Sequence, residues 1–150
     1  MVFVVAMGCY CIGISYFIIG WAGVARVDNP PPAFSSLVDD PVGDVLVLVV
    51  FAPILESLML IGVFELVRRA RATMPLPVLA AAVVISVGRV WPWWPHSVIV
   101  LPSFCIQSAA YAYWRRRGPF KDAFWVVASI HALINVIPAL NTIARAAREA

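Results

Sequence analysis

Long apolar runs dominate the chain, and short polar, proline-rich or aromatic stretches separate them. A bilayer core of about 30 Å needs about 20 mostly apolar residues per helix, or about 17 at the short end. The pattern predicts five transmembrane helices, over residues 2–24, 45–67, 76–91, 97–114 and 120–143. The first run carries no charge, has no basic segment before it and is longer than a signal-peptide core, so we interpret it as a retained span.

The breaks between the runs have the composition of membrane-surface segments. Residues 26–44 contain Asn29 followed by three prolines, together with four aspartates, which predicts an acidic loop. Arginine clusters follow the second and fourth runs. A tryptophan- and proline-rich turn at 91–96 follows the third run and is typical of the headgroup level.

Composition supports a membrane protein. Hydrophobic residues make up 63% of the 150 residues and charged residues 13%, with a mean hydropathy of +0.91. Soluble domains are about 45–50% apolar and about 25% charged, so this chain lacks a polar shell. The same values exclude disordered, collagen-like and disulfide-rich secreted classes. The fold class predicted is therefore all-α, a polytopic membrane helix bundle of about five helices, in one domain over residues 1–150. The cysteines, Cys9, Cys11 and Cys105, lie within apolar runs, and we interpret them as buried thiols.

The charge distribution predicts an orientation. The formal net charge is +3, with no basic stretch interleaved with aromatic residues, so we expect no nucleic-acid partner. The loops after the second and fourth runs together hold seven basic residues, against four on the opposite side. By the positive-inside rule the N-terminus is cytoplasmic and the C-terminus lies outside.

Ionisable and strongly polar residues inside the runs are the candidates for function, because each costs several kcal/mol in lipid. Glu56 lies near the middle of the second run, and its sequence neighbours offer no charge partner. His131 and Asn135 are four residues apart in the fifth run, which places both side chains on one helical face. The other histidine, His96, lies in the aromatic turn. Glu65 lies close enough to Arg68 for a structural ion pair.

These four polar residues, Glu56, His96, His131 and Asn135, suffice for one kind of hydrolysis. A glutamate can act as a general base toward water, and a histidine can relay the proton. A second histidine and an asparagine amide can donate hydrogen bonds to a developing oxyanion. No cofactor is then required. Alternatively, Glu56 and the two histidines could bind a zinc ion.

The motifs around these residues resemble those of the CPBP intramembrane proteases, also called Abi or type II CAAX prenyl endopeptidase-like proteins. The family's first motif is approximately A-P-x-x-E-E-x-x-F-R-G, and residues 52–62 here read APILESLMLIG, with Ser57 and Ile61 at the second Glu and the Arg. The last motif, H-A-x-x-N, is met at His131 and Asn135. The middle motif, F-x-x-x-H, has its histidine at His96 but a proline at the first position. The resemblance covers residues 45–140.

The resemblance implies a membrane endopeptidase. It assigns water activation to Glu56 and His96, and oxyanion support to His131 and Asn135. The substrate would be a protein or peptide, membrane-associated or prenylated, and the host membrane that of a bacterium or archaeon. Two alternatives remain: a catalytically silent relative that binds or scaffolds a membrane partner, and a small proton- or ion-path protein that uses Glu56 and His131.

Overall fold

The computed structural model describes residues 40–89 and 95–149, together with the isolated residues Ala6, Met7, Tyr10 and Gly13. The described part is helical, and no strand occurs within it. The predicted all-α class is thus confirmed for these residues. The first predicted span and most of the acidic loop lie outside the described residues.

The first long helical stretch has three parts. Helix α1 covers Pro41–Leu46, a π-helical segment covers Val47–Phe51, and α2 covers Ala52–Arg69. The Asp40 carboxylate accepts hydrogen bonds from the backbone N–H groups of Val42 (3.1 Å) and Gly43 (3.2 Å), which caps the start of α1. The helix therefore begins within the stretch predicted as a loop, before the predicted start at residue 45.

Three more helices follow. Helix α3 covers Leu76–Gly88, α4 covers Pro95–Arg115 and α5 covers Phe120–Glu149. Helix α2 ends at Arg69, and two residues later Arg71 adopts a left-handed backbone conformation with a φ of 59°. The bounds of α4 lie within two residues of the prediction. Helix α3 ends three residues earlier than predicted, and α5 extends six residues further.

The helices pack in a ring in which α3 contacts α2 and α4, α4 contacts α5, and α5 returns to α2 and the π-helical segment. Small residues fill much of the interior, which lets helix backbones approach closely as in membrane bundles. The buried small residues include Ser57, Ala81, Ala82, Ser86, Ser108, Ala112, Ala123 and Ala128. Larger buried residues such as Leu60, Phe64, Phe104 and Tyr111 complete the core.

Two helices of the described part are long and apolar enough to cross a membrane, Val42–Arg69 and Phe120–Arg148. Many of their large apolar side chains are exposed. In Val42–Arg69, for example, Leu55, Met59 and Leu66 are each at least 60% exposed. Exposed apolar faces of this extent are typical of surfaces that contact a membrane or a partner protein. Helix α4 is 21 residues long, whereas α3, with 13 residues, rises only about 20 Å and cannot cross a bilayer of about 30 Å as a helix.

Candidate functional site

Glu56 and Arg89 form an ion pair inside the bundle. A guanidinium nitrogen of Arg89 donates to Glu56 Oε1, and the two side chains are 17% and 21% exposed, respectively. A carboxylate and a guanidinium that meet in a low-dielectric interior compensate each other's charge. This pairing corrects the expectation from the local sequence that Glu56 has no charge partner.

Helix lengths explain why these two residues meet. Glu56 lies thirteen residues before Arg69, the last residue of α2, and α3 runs back along α2 for thirteen residues before Arg89. At about 1.5 Å per residue both distances are about 20 Å, so the end of α3 lies at the depth of Glu56. Since Val42–Arg69 rises about 42 Å, this depth is the middle of the apolar helix.

His131 lies against the second oxygen of Glu56. Its Nε2 is 3.6 Å from Glu56 Oε2, and its side chain is 5% exposed. The ring also stands edge-on to Phe104, with centroids 5.6 Å apart, so apolar packing fixes its position. Among the described residues neither Glu56 Oε2 nor His131 Nδ1 has a hydrogen-bond partner. One oxygen of the Glu56 carboxylate is therefore paired with Arg89. The other, which we call the unused oxygen, lies beside the His131 imidazole and has no hydrogen-bond partner among the described residues.

His96 lies in the first turn of α4 and is half-buried. The charges of both Glu56 and Arg89 act on it, so it lies within electrostatic range of the ion pair. It makes no hydrogen bond to Glu56 or His131 that the described part of the chain shows. The structure thus brings His96 near the pair without joining it to either partner.

Asn135 lies one turn beyond His131, as its spacing predicts, but its amide is directed elsewhere. Its Nδ2 donates to the backbone carbonyl of Leu48 at 2.8 Å. Leu48 belongs to the π-helical segment, where the hydrogen-bond ladder departs from α-helical register and carbonyl groups need other partners. Asn135 therefore joins α5 to the segment preceding α2, and its second N–H is the one that could serve a ligand.

The site residue that the sequence does not reveal is Arg89. It lies within the third predicted run, residues 76–91, and contributes to the prediction only as one of the four basic residues on one membrane side. It lies 33 positions from Glu56, and no motif links the two residues. One signal was present: an arginine directly after an apolar run too short to cross a bilayer is placed at membrane depth, where it needs an acid.

We tested whether a metal fits these residues. Within residues 40–89 and 95–149 no group of three or more His, Cys, Asp or Glu side chains is placed to hold a metal ion. Arg89 occupies one oxygen of Glu56 and already supplies positive charge there. A divalent cation at the same carboxylate would be repelled by the guanidinium, so the set does not fit the zinc alternative.

The chain matches no family model, no curated protein and no solved structure.

Proposed function

We propose that the protein is an intramembrane endopeptidase in which Glu56 activates water for attack on a peptide bond. The observation that carries the proposal is the unused Glu56 Oε2, which lies 3.6 Å from His131 Nε2 in the interior of the bundle. A water molecule placed to one side of Glu56 Oε2 and His131 Nε2 would lie within hydrogen-bond distance of both atoms. Glu56 would accept its proton, and a histidine would relay the proton to the leaving amine.

Arg89 supports this chemistry by placing a positive charge beside the carboxylate. An uncompensated carboxylate inside a membrane is destabilised in its ionised form, which is the form that acts as a base. The CPBP-like motif has an arginine where this chain has Ile61, and Arg89 supplies a cation from α3 instead. The positive charge that compensates Glu56 therefore comes from the end of α3 rather than from the motif itself.

The remaining site residues complete the proposal. His131 and the second N–H of Asn135 would stabilise the oxyanion that forms on the substrate carbonyl. His96, on which the charges of Glu56 and Arg89 act, would assist in the proton relay. No cofactor enters this scheme. The substrate is a protein or peptide that reaches the bundle from the bilayer, and a prenylated chain end meets that requirement.

The proposal includes the membrane architecture. Residues 2–24 and the four helices of the described part would make a five-span bundle in a bacterial or archaeal membrane, with the N-terminus in the cytoplasm. The CPBP resemblance and the seven basic residues on one side support this proposal.

The experiment is proteolysis in liposomes. The purified protein is reconstituted with detergent-extracted proteins from its own host membrane, and new peptide termini are detected by amine labelling and mass spectrometry. Glu56→Gln should abolish these termini. Glu65→Gln, which changes the other glutamate of the same helix, should retain them. Termini that persist at the wild-type rate in Glu56→Gln would remove Glu56 from the mechanism.

A silent, partner-binding relative is the second candidate, and one observation favours it. The Glu56–Arg89 pair and the Asn135–Leu48 hydrogen bond both join helices, as purely structural contacts would. This candidate predicts no cleavage in the liposome assay by either the wild type or the Glu65→Gln variant.

A further inference from the structure

A second polar region lies at the other end of α2, away from Glu56. There a cavity of about 300 Å³ opens between the ends of α2 and α4 and the connection between α2 and α3. We call it the arginine cavity. Its lining residues are Phe64, Arg68, Ala72, Met74, Ala112, Arg115 and Arg116.

The arginine cavity has an excess of positive charge. Three of its lining residues are arginines, and the carboxylate of Glu65 interacts with two of them, Arg68 and Arg115. Both oxygens of Glu65 are already used: Oε2 accepts from Arg68 at 2.6 Å, and Oε1 accepts from the Tyr111 hydroxyl at 2.8 Å. Arg115 also donates to the backbone carbonyl of Gly118 at 3.4 Å. The single negative charge of Glu65 is therefore outnumbered by the positive charges of the three arginines. Guanidinium groups in such an arrangement match the geometry of a phosphate.

The walls of the cavity are apolar, which indicates an amphipathic ligand. Phe64 and Ala112 are buried beneath the arginines, and Met74 lies 41% exposed at the opening. Leu66, in the last turn of α2, and Leu76, at the start of α3, are 69% and 54% exposed. A ligand held here has its charge against the arginines and its carbon chain along an apolar helix surface. A free phosphate ion would contact the arginines but would make no use of the apolar surface.

We propose that the arginine cavity binds the phosphate headgroup of an anionic phospholipid. Basic cavities between membrane helices are suited to such headgroups, and the other basic residues of the same loops increase the local positive potential. The proposal rests on the membrane placement in the proposed function, but not on proteolysis.

The test measures lipid binding by the full-length protein in a neutral detergent. Phosphatidylglycerol is titrated and the one-to-one complex is quantified by native mass spectrometry, with phosphatidylcholine and inorganic phosphate as separate arms. The cavity variant is Arg115→Gln with Arg116→Gln. The control is Arg69→Gln with Lys121→Gln, which removes the same charge from exposed positions outside the cavity. Arg68 is left unchanged because it pairs with Glu65.

We expect phosphatidylglycerol to bind more tightly than phosphatidylcholine, and the cavity variant to lose about 30-fold in affinity, at about 1 kcal/mol per arginine. The control should lose less than about threefold. Equal losses in the two variants would overturn the site, because they would show only the field of a basic surface. Equal binding of phosphatidylcholine would also overturn it, and binding of inorganic phosphate at the same affinity would show a free-anion site instead. The cleavage assay plays no part in these measurements, so they succeed or fail separately from the endopeptidase proposal.

Discussion

At the scale of single residues, the ion pair between Glu56 and Arg89 is the main feature of the candidate site. A glutamate at mid-membrane depth is costly alone, and the ion pair with Arg89 explains how the fold accommodates it. His131 lies beside the second oxygen of Glu56, where the proposed function places the reacting water. The role of Glu56 in packing and its proposed role in chemistry can be separated experimentally.

Arg89→Gln should destabilise the folded protein by about 3–5 kcal/mol, because it leaves the Glu56 carboxylate without its compensating charge. Arg89→Lys keeps a cation and should cost less than half of that. Thermal unfolding in detergent measures both. Equal destabilisation by the two substitutions would show that the shape of the guanidinium matters and its charge does not.

His131→Ala and Asn135→Ala should each lower turnover by about 10²–10³, the usual effect of losing one oxyanion donor. Because the two residues serve one site, the double variant should be little worse than the worse single. Cleavage rates in liposomes test this, with thermal stability as the control. Rate losses that multiply would show that the residues act independently, and losses that follow stability alone would make them packing residues.

Part of this site could be predicted from the sequence. The four-residue spacing of His131 and Asn135 placed them on one face, and the i, i+3 pair of Glu65 with Arg68 is confirmed at 2.6 Å. The contact between Glu56 and Arg89 could not be predicted, because it depends on how far α3 extends along α2. A contact between residues 33 positions apart is set by packing and leaves no periodic pattern in the sequence.

At the scale of helices, the hydrophobic pattern predicted positions well and ends less well. Helix α4 ends within one residue of the prediction because charged residues end its apolar run. Helix α5 continues past residue 143 because alanine and charged residues there favour helix without needing lipid. Helix α3 stops at Gly88, before Trp91, which the prediction included.

The contact between α2 and α4 at Tyr111 allows a test of helix association. Tyr111 is fully buried, donates to Glu65 and packs edge-on against Phe64 at 5.0 Å. Tyr111→Phe keeps the ring and removes a hydrogen bond to a charged group, so it should cost about 1.5–3 kcal/mol in unfolding free energy. A cost below about 0.5 kcal/mol, the usual effect of a surface substitution, would contradict a specific role for the buried hydroxyl.

At the scale of the whole molecule, the packing resembles a membrane bundle, with small residues inside and large apolar residues outside. The faces of Val42–Arg69 and Phe120–Arg148 expose large apolar side chains, which supports the proposed membrane placement. In that placement the basic residues at the α2–α3 and α4–α5 connections lie at one membrane surface.

The five-span topology predicts which positions share a side. In a variant without native cysteines, Thr73→Cys and Gly118→Cys should react with an impermeant maleimide from the same side of a sealed vesicle. Ala144→Cys, near the exposed end of α5, should react from the other side. Labelling of Thr73→Cys and Gly118→Cys from opposite sides would overturn the topology.

The most direct test of the central claim, that Glu56 is both a partner of Arg89 and the base for water, is the cleavage rate of the double variant Glu56→Gln, Arg89→Gln in liposomes. Each single substitution removes one partner of the ion pair and should lower stability, whereas the double variant removes both charges of the pair and should regain most of it. The account predicts that the stable double variant still does not cleave, because it has no carboxylate to accept a proton. Cleavage that returns together with stability would contradict the account and would reduce the Glu56–Arg89 pair to a structural contact.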